Sequence, residues 1–268
     1  MTMITSQGLL NKARKPITQL QSIRHPPGKK KNHQIRVCIK RVLARLHLLE
    51  KVTATDPNIS NLSQSLKQLS RQLATMRDRD VMLALLEQLL AQNTATSVND
   101  LLKQTRERLI GTNQQPTAEL RVLHTKAADI CTNLHLIPKS SIGLSQIQHY
   151  MQKKWQRICG QYKSIVREQD QLKLHKLRKK LKSLSYQYEV LDELEPSSLL
   201  PAKKLTKLGT KLGKVHDLFV LERYLRNQQQ QLTADIHTYN GAYALLGGKR
   251  MHLLKQSRKA FKHTCRAP

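Results

Sequence analysis

One helical pattern occurs twice in this chain of 268 residues, and both copies are basic along one stripe. The first runs His33-Gln34-Ile35-Arg36-Val37-Cys38-Ile39-Lys40, the second His175-Lys176-Leu177-Arg178-Lys179-Lys180-Leu181-Lys182. Each places Arg three residues and Lys seven residues after His, and at about 100° per residue these offsets share one helix face. Opposite them lie Ile35, Ile39, Val42, Leu46 and Leu49 in one copy, and Leu177, Leu181, Leu184, Tyr188 and Leu191 in the other. A helix so patterned buries its apolar side and presents its basic one. Nothing in the pattern suggests a nucleophile working with a general base; it suggests a surface for negative charge, built twice. Arg41 flanks the first stripe, while Tyr186 and Glu189 extend the second.

A third row reinforces them. Lys204, Lys207, Lys211 and Lys214 follow i, i+3, i+7, i+10, with Leu205, Leu208, Leu212 and Val215 as the packing row. One cation per turn spaces charges by about 5–6 Å, which suits a chain of phosphates. Lys brings a mobile point charge and Arg a planar fork for two oxygens. His donates while neutral and adds charge once protonated, so such a site is expected to tighten below about pH 6.5. The matching segment of the first half holds only Lys67 and Arg71. The second half is therefore expected to be the stronger anion binder.

Net charge sets the partner class. Lys and Arg total 47 against 18 Asp and Glu, a formal +29. Self-repulsion on that scale opposes compaction unless anions relieve it. With 39% hydrophobic residues, 4% aromatics, 10 Gly and 9 Pro, the chain reads as long helices around a packed core. Four widely separated cysteines form no C-x-x-C pair, which fits reduced thiols and a cytoplasmic location. No apolar run long enough for a transmembrane segment occurs. The histidines have no Cys or carboxylate cluster beside them and adjacent Lys and Arg repel cations, so neither a metal nor another cofactor is expected.

Residues 1–30 read as a basic N-terminal extension, ended by Pro26-Pro27-Gly28; its first five residues resemble a common expression-vector leader. Helices are expected over about 33–51, through Leu62, Leu66, Leu69 and Leu73 with Asn61 or Ser63 as cap, and over 81–90, 100–110 and 118–135. A polar break is expected at Met76–Asp80 and a loop at 93–99. Pro138 to Gly143 separates a first helical half, 31–139, from a second, 140–268. The second half repeats the order: 144–168, 172–193, 202–213, a break at Lys214–Asp217, then 218–232 and 235–263 with a kink at Gly247-Gly248. His33 and His175 are 142 residues apart, Asp78 and Asp217 139 apart. Matching offsets point to an internal duplication and to two antiparallel bundles. Asp78 and Asp217 are expected to cap the helices that follow them, or to pair with the basic rows and orient them.

These residues resemble the CHAD family, the conserved histidine α-helical domain. The first half matches in His33-x-x-Arg36-x-x-x-Lys40-Arg41 and Arg77-Asp78-Arg79-Asp80-Val81. The second matches in Leu174-His175-x-x-Arg178-x-Lys180-x-Lys182, then Tyr186 and Glu189, then Leu212-Gly213-Lys214-Val215-His216-Asp217. The likeness spans about residues 25–265. It implies an all-α fold of two four-helix bundles related by a pseudo-twofold, with a basic groove or pore. It also implies non-catalytic binding of inorganic polyphosphate through His33, Arg36, Lys40, Arg41, His175, Arg178, Lys180 and Lys182. Two positions depart from the family pattern: Ser185 stands where Arg is usual, and Ala74 where Gly is usual. From the residues themselves, Lys179 and the four lysines of the third row join the expected site.

The rival readings are a nucleic-acid binder, a phosphohydrolase acting on polyphosphate, and a protein of anionic membrane surfaces. Charge alone serves DNA or RNA equally well, but the rows lack interleaved aromatics for stacking single strands. A hydrolase would need a carboxylate cluster, and none stands out. The expected protein is a cytoplasmic polyphosphate binder, with polyphosphate granules as one destination.

Overall fold

The computed structural model describes residues 3–6, 8–10, 29–53, 56–92, 95–111, 129–130, 132–133, 136–137, 140–194, 202–229 and 234–265. In chain order these hold β1 (Met3–Thr5), α1 (Lys29–Val52), α2 (Pro57–Leu90), α3 (Thr96–Gly111), β2 (Ser141–Gly143), α4 (Leu144–Glu168), α5 (Gln171–Leu194), α6 (Ala202–Gln228) and α7 (Ile236–Cys265). The fold is essentially all-α, as expected. The helix expected over 118–135 and the loop over 196–201 lie largely or wholly outside the described residues. None of the described helices is long and apolar enough to cross a membrane.

Two expected breaks are absent. The segment 76–80 lies inside α2 and Lys214–Asp217 inside α6. Both stretches are mostly polar, but neither holds a proline or glycine, and the few tenths of a kcal/mol (up to about 0.7) that an Asp costs a helix interior do not break one that packs on both sides. Helix starts follow side-chain capping. Asp56 accepts the backbone N–H of Asn58 at 2.8 Å with Pro57 as first helical residue, so Asn61 and Ser63 lie inside α2. Asp170 accepts Lys173 N–H at 2.9 Å before α5, and Asp235 accepts Thr238 N–H at 2.7 Å before α7. That last bond holds the Asp235 carboxyl below its ordinary value. Gln169, with φ 57°, turns the chain between α4 and α5.

The helices distribute over two compact units, and neither is a consecutive stretch of chain. The first comprises residues 1–77, 116–161 and 180–206; the second 78–115, 162–179 and 207–268. In the first, Ile39, Leu46 and Leu49 of α1, Leu66 and Leu69 of α2, Ile147 and Met151 of α4, and Leu181 and Leu184 of α5 are buried. β1 and β2 pair antiparallel there, with Ile4 opposite Ile142. In the second, Leu86 and Leu89 of α2 pack in one cluster with Leu101 and Leu102 of α3, Leu221 and Leu225 of α6, and Tyr239 and Leu246 of α7. Tyr162 stacks on Phe261 with ring centroids 3.6 Å apart and hydrogen-bonds Ser257, and burial pushes its phenol up to about 12.

Candidate polyanion-binding faces

In the first unit the His33 stripe is only partly open. His33 and Arg41 are exposed and Lys40 is half-buried, but Arg36 is only 8% exposed. The sequence placed Arg36 on the solvent stripe; the fold buries it, as it buries Arg45, because long Arg stems pack against apolar neighbours. Arg41 is held. Its Nε donates to Glu189 Oε2 at 2.7 Å, and its guanidinium lies 5.9 Å from the centre of the Tyr186 ring. The hydrogen bond to Glu189 is the main reason its pKa is raised. Tyr186 and Glu189, read from sequence as orienting residues, thus meet Arg41. Lys180 is exposed and donates to Gln161 Oε1 at 3.0 Å. Lys182 is half-buried and Lys204 exposed. Ser185 is fully buried and donates its hydroxyl to the Lys182 carbonyl at 2.9 Å.

The same unit holds a polar chain that the sequence did not reveal. Lys154 of α4 donates to Gln187 Oε1 at 2.9 Å, and Gln187 Nε2 donates to the Ala44 carbonyl at 3.0 Å. Burial drives the Lys154 ammonium down to about 8. The Tyr150 ring lies 5.8 Å from that ammonium, and its hydroxyl bonds His47 Nε2 at 3.2 Å. His47 is lowered by burial and then by the Lys154 charge, against a weaker upward pull from Glu50. No periodicity signals this chain, because α4 reads as an ordinary amphipathic helix and the partners come from α1 and α5.

In the second unit α5 and α6 bring their motifs together. The His175 and His216 rings lie 4.3 Å apart, tilted by 45°. Arg178 is half-buried and packs beside Gly213 of α6, its Nε 3.4 Å from where a Cβ would stand. Around them Lys179, Lys207 and Lys214 are exposed. Lys211 is half-buried and donates to Gln256 Oε1 at 2.8 Å. Because α6 runs unbroken, Lys207, Lys211 and Lys214 keep true helical spacing. His175 is held below its ordinary 6.5, first by burial and then by the charges of Arg178 and Lys179, with Asp78 pulling the other way. Asp78 and Asp217 sit inside helices, so neither caps one; Asp78 acts on His175 through its field.

His216 stood in the sequence within the Leu212–Asp217 motif, and its partnership with His175 needed the fold to appear. Among the described residues no group of three or more His, Cys, Asp or Glu is placed to hold a metal ion. Chemically, the second face combines a fixed guanidinium fork, mobile ammonium groups one turn apart and two imidazoles. That set suits oxyanions arrayed along a chain.

No curated protein matches this sequence. Two solved structures share the fold. PptA from Streptomyces chartreusis superposes with a TM-score of 0.62 at 15% identity, covering 97% of each chain. The CHAD domain from the plant Ricinus communis gives 0.55 at 21% identity, covering 98% of this chain and 90% of that one. The sequence profile of the CHAD domain matches residues 18–226, most of the chain, so this protein belongs to the CHAD domain family.

Proposed function

We propose that this protein binds inorganic polyphosphate without hydrolysing it. The observation that carries the reading is the second unit's cluster: Arg178 set against Gly213, beside the His175–His216 pair and the Lys207, Lys211 and Lys214 row. Family membership and the net charge of +29 support it. Each phosphate engages one or two cations, and a longer polymer engages more rows at once, so affinity rises with chain length. It falls with salt as condensed counterions lose their entropic advantage. We further propose a cytoplasmic location, with polyphosphate granules as a destination.

A competition titration tests the ligand class. Long-chain polyphosphate is expected to remain bound when short duplex DNA is added at equal phosphate concentration; displacement by the duplex would make nucleic acid the ligand. Steady phosphate release with magnesium or manganese would make the protein an enzyme. Reversing charge at Arg178 and Lys207 together is expected to weaken polyphosphate binding while the circular dichroism stays helical. Unchanged affinity in that variant would remove these residues from the site.

A further inference from the structure

Within the second unit, α2, α6 and α7 line an open cavity of about 560 Å³, in the range of roughly 300–1,000 Å³ usual for small-molecule sites. Its walls are apolar: Val81, Leu85 and Leu89 from α2, Leu218 from α6 and Leu253 from α7. Its polar lining holds two ammonium groups, Lys214 and Lys249, against the single carboxylate of Asp217, with Gln88, Gln92 and His252 beside them. The Lys249 ammonium donates to the side-chain carbonyl of Gln92, so a neutral amide positions it at the cavity.

Gly248 also lines this cavity. A Cβ built there meets nothing within 4 Å, and no described glycine has a positive φ. Glycine inside a helix costs about 1 kcal/mol relative to alanine. Here neither close packing nor backbone geometry requires it. What Gly248 preserves is open volume in the cavity wall.

An apolar slot with two ammonium groups in its polar lining selects among ligands. A polyphosphate chain finds no solvation against leucines, a cation is repelled, and a purely apolar molecule leaves the lysines unused. We propose that the cavity binds a single-chain amphiphile with an anionic head, namely a long-chain fatty carboxylate. The chain lies along Leu85, Leu89 and Leu253, and the carboxylate meets Lys249 and His252. The three-helix enclosure suits a monomeric ligand rather than a membrane surface.

Titration with dodecanoate below its micellar concentration, followed by calorimetry, tests this. One saturable site per chain is expected, with no binding of acetate, which has the head but not the chain. Gly248→Phe fills the cavity and is expected to abolish the site, with polyphosphate affinity unchanged; that separates this proposal from the polyphosphate reading. Lys249→Glu keeps the cavity and is expected to weaken dodecanoate about tenfold, the scale of one charge-assisted contact. It serves as the second variant if Gly248→Phe folds poorly. Several dodecanoates bound per chain with no response to either substitution, or uptake only by anionic lipid vesicles, would overturn the proposal.

Discussion

The Arg41 and Arg178 environments use the same residue type in opposite ways. In the first unit Arg41 is clamped by Glu189 at 2.7 Å with the Tyr186 ring beside it, so an incoming anion competes with a carboxylate already in place. In the second, Arg178 packs beside Gly213 next to two imidazoles, with exposed lysines on the adjoining turns. Formal charge treats the two alike, but the packing around each guanidinium differs. The contrast is one between compact units rather than sequence halves, and it can be broken experimentally.

The largest expected effect is on affinity. Arg178→Ala should weaken polyphosphate binding about tenfold or more, the loss of one or two charge-assisted hydrogen bonds, whereas Arg41→Ala should cost less than about threefold because an anion must first displace Glu189 from it. Calorimetry of both variants at one salt concentration decides it, and equal losses would erase the contrast. A comparable effect concerns stability in the first unit. Lys154 is held near 8 in the fold against 10.5 when free, so the folded state favours its neutral form. Its contribution is complete above the free value and is lost as pH falls through the folded value. From pH 8 to 10, unfolding free energy should rise by about 2 kcal/mol more in the native protein than in Lys154→Met, measured by urea titration.

The smallest effect belongs to His175. Its folded value lies below 6.5, so acid destabilises the free protein as pH falls through that depressed value. A bound polyanion favours the protonated ring and raises its pKa. Affinity should therefore climb severalfold as pH falls from about 7 through the free-state value, and His175→Gln should flatten that slope. An unaltered slope would assign the pH response to other groups.

The basic rows were legible in sequence because a helix converts spacing into direction without help from partners. That is why Arg178, Lys182 and the α6 lysines could be assigned to helix faces from spacing alone. Exposure was less legible. Arg36 shares the angular position of Arg178, yet its burial depends on which neighbours cover α1, and no local rule supplies that. The misplaced breaks in α2 and α6 have the same origin. Polar clusters such as Arg77-Asp78-Arg79-Asp80 resemble turns when the apolar stripe lapses, but a helix needs no apolar residue in every turn to continue through a well-packed fold. The Lys154–Gln187–Ala44 chain joins residues 154, 187 and 44, which only tertiary structure brings together.

The packing of Arg178 beside Gly213 has one more consequence, and it concerns entropy. A free Arg side chain surrenders about 2 kcal/mol of rotamer freedom when a ligand immobilises it. Packed against α6, Arg178 gives up part of that freedom during folding, before any anion arrives. The exposed lysines of the row keep theirs until binding. The guanidinium is thus the site's fixed reference point, from which a flexible polymer can be ordered one phosphate after another.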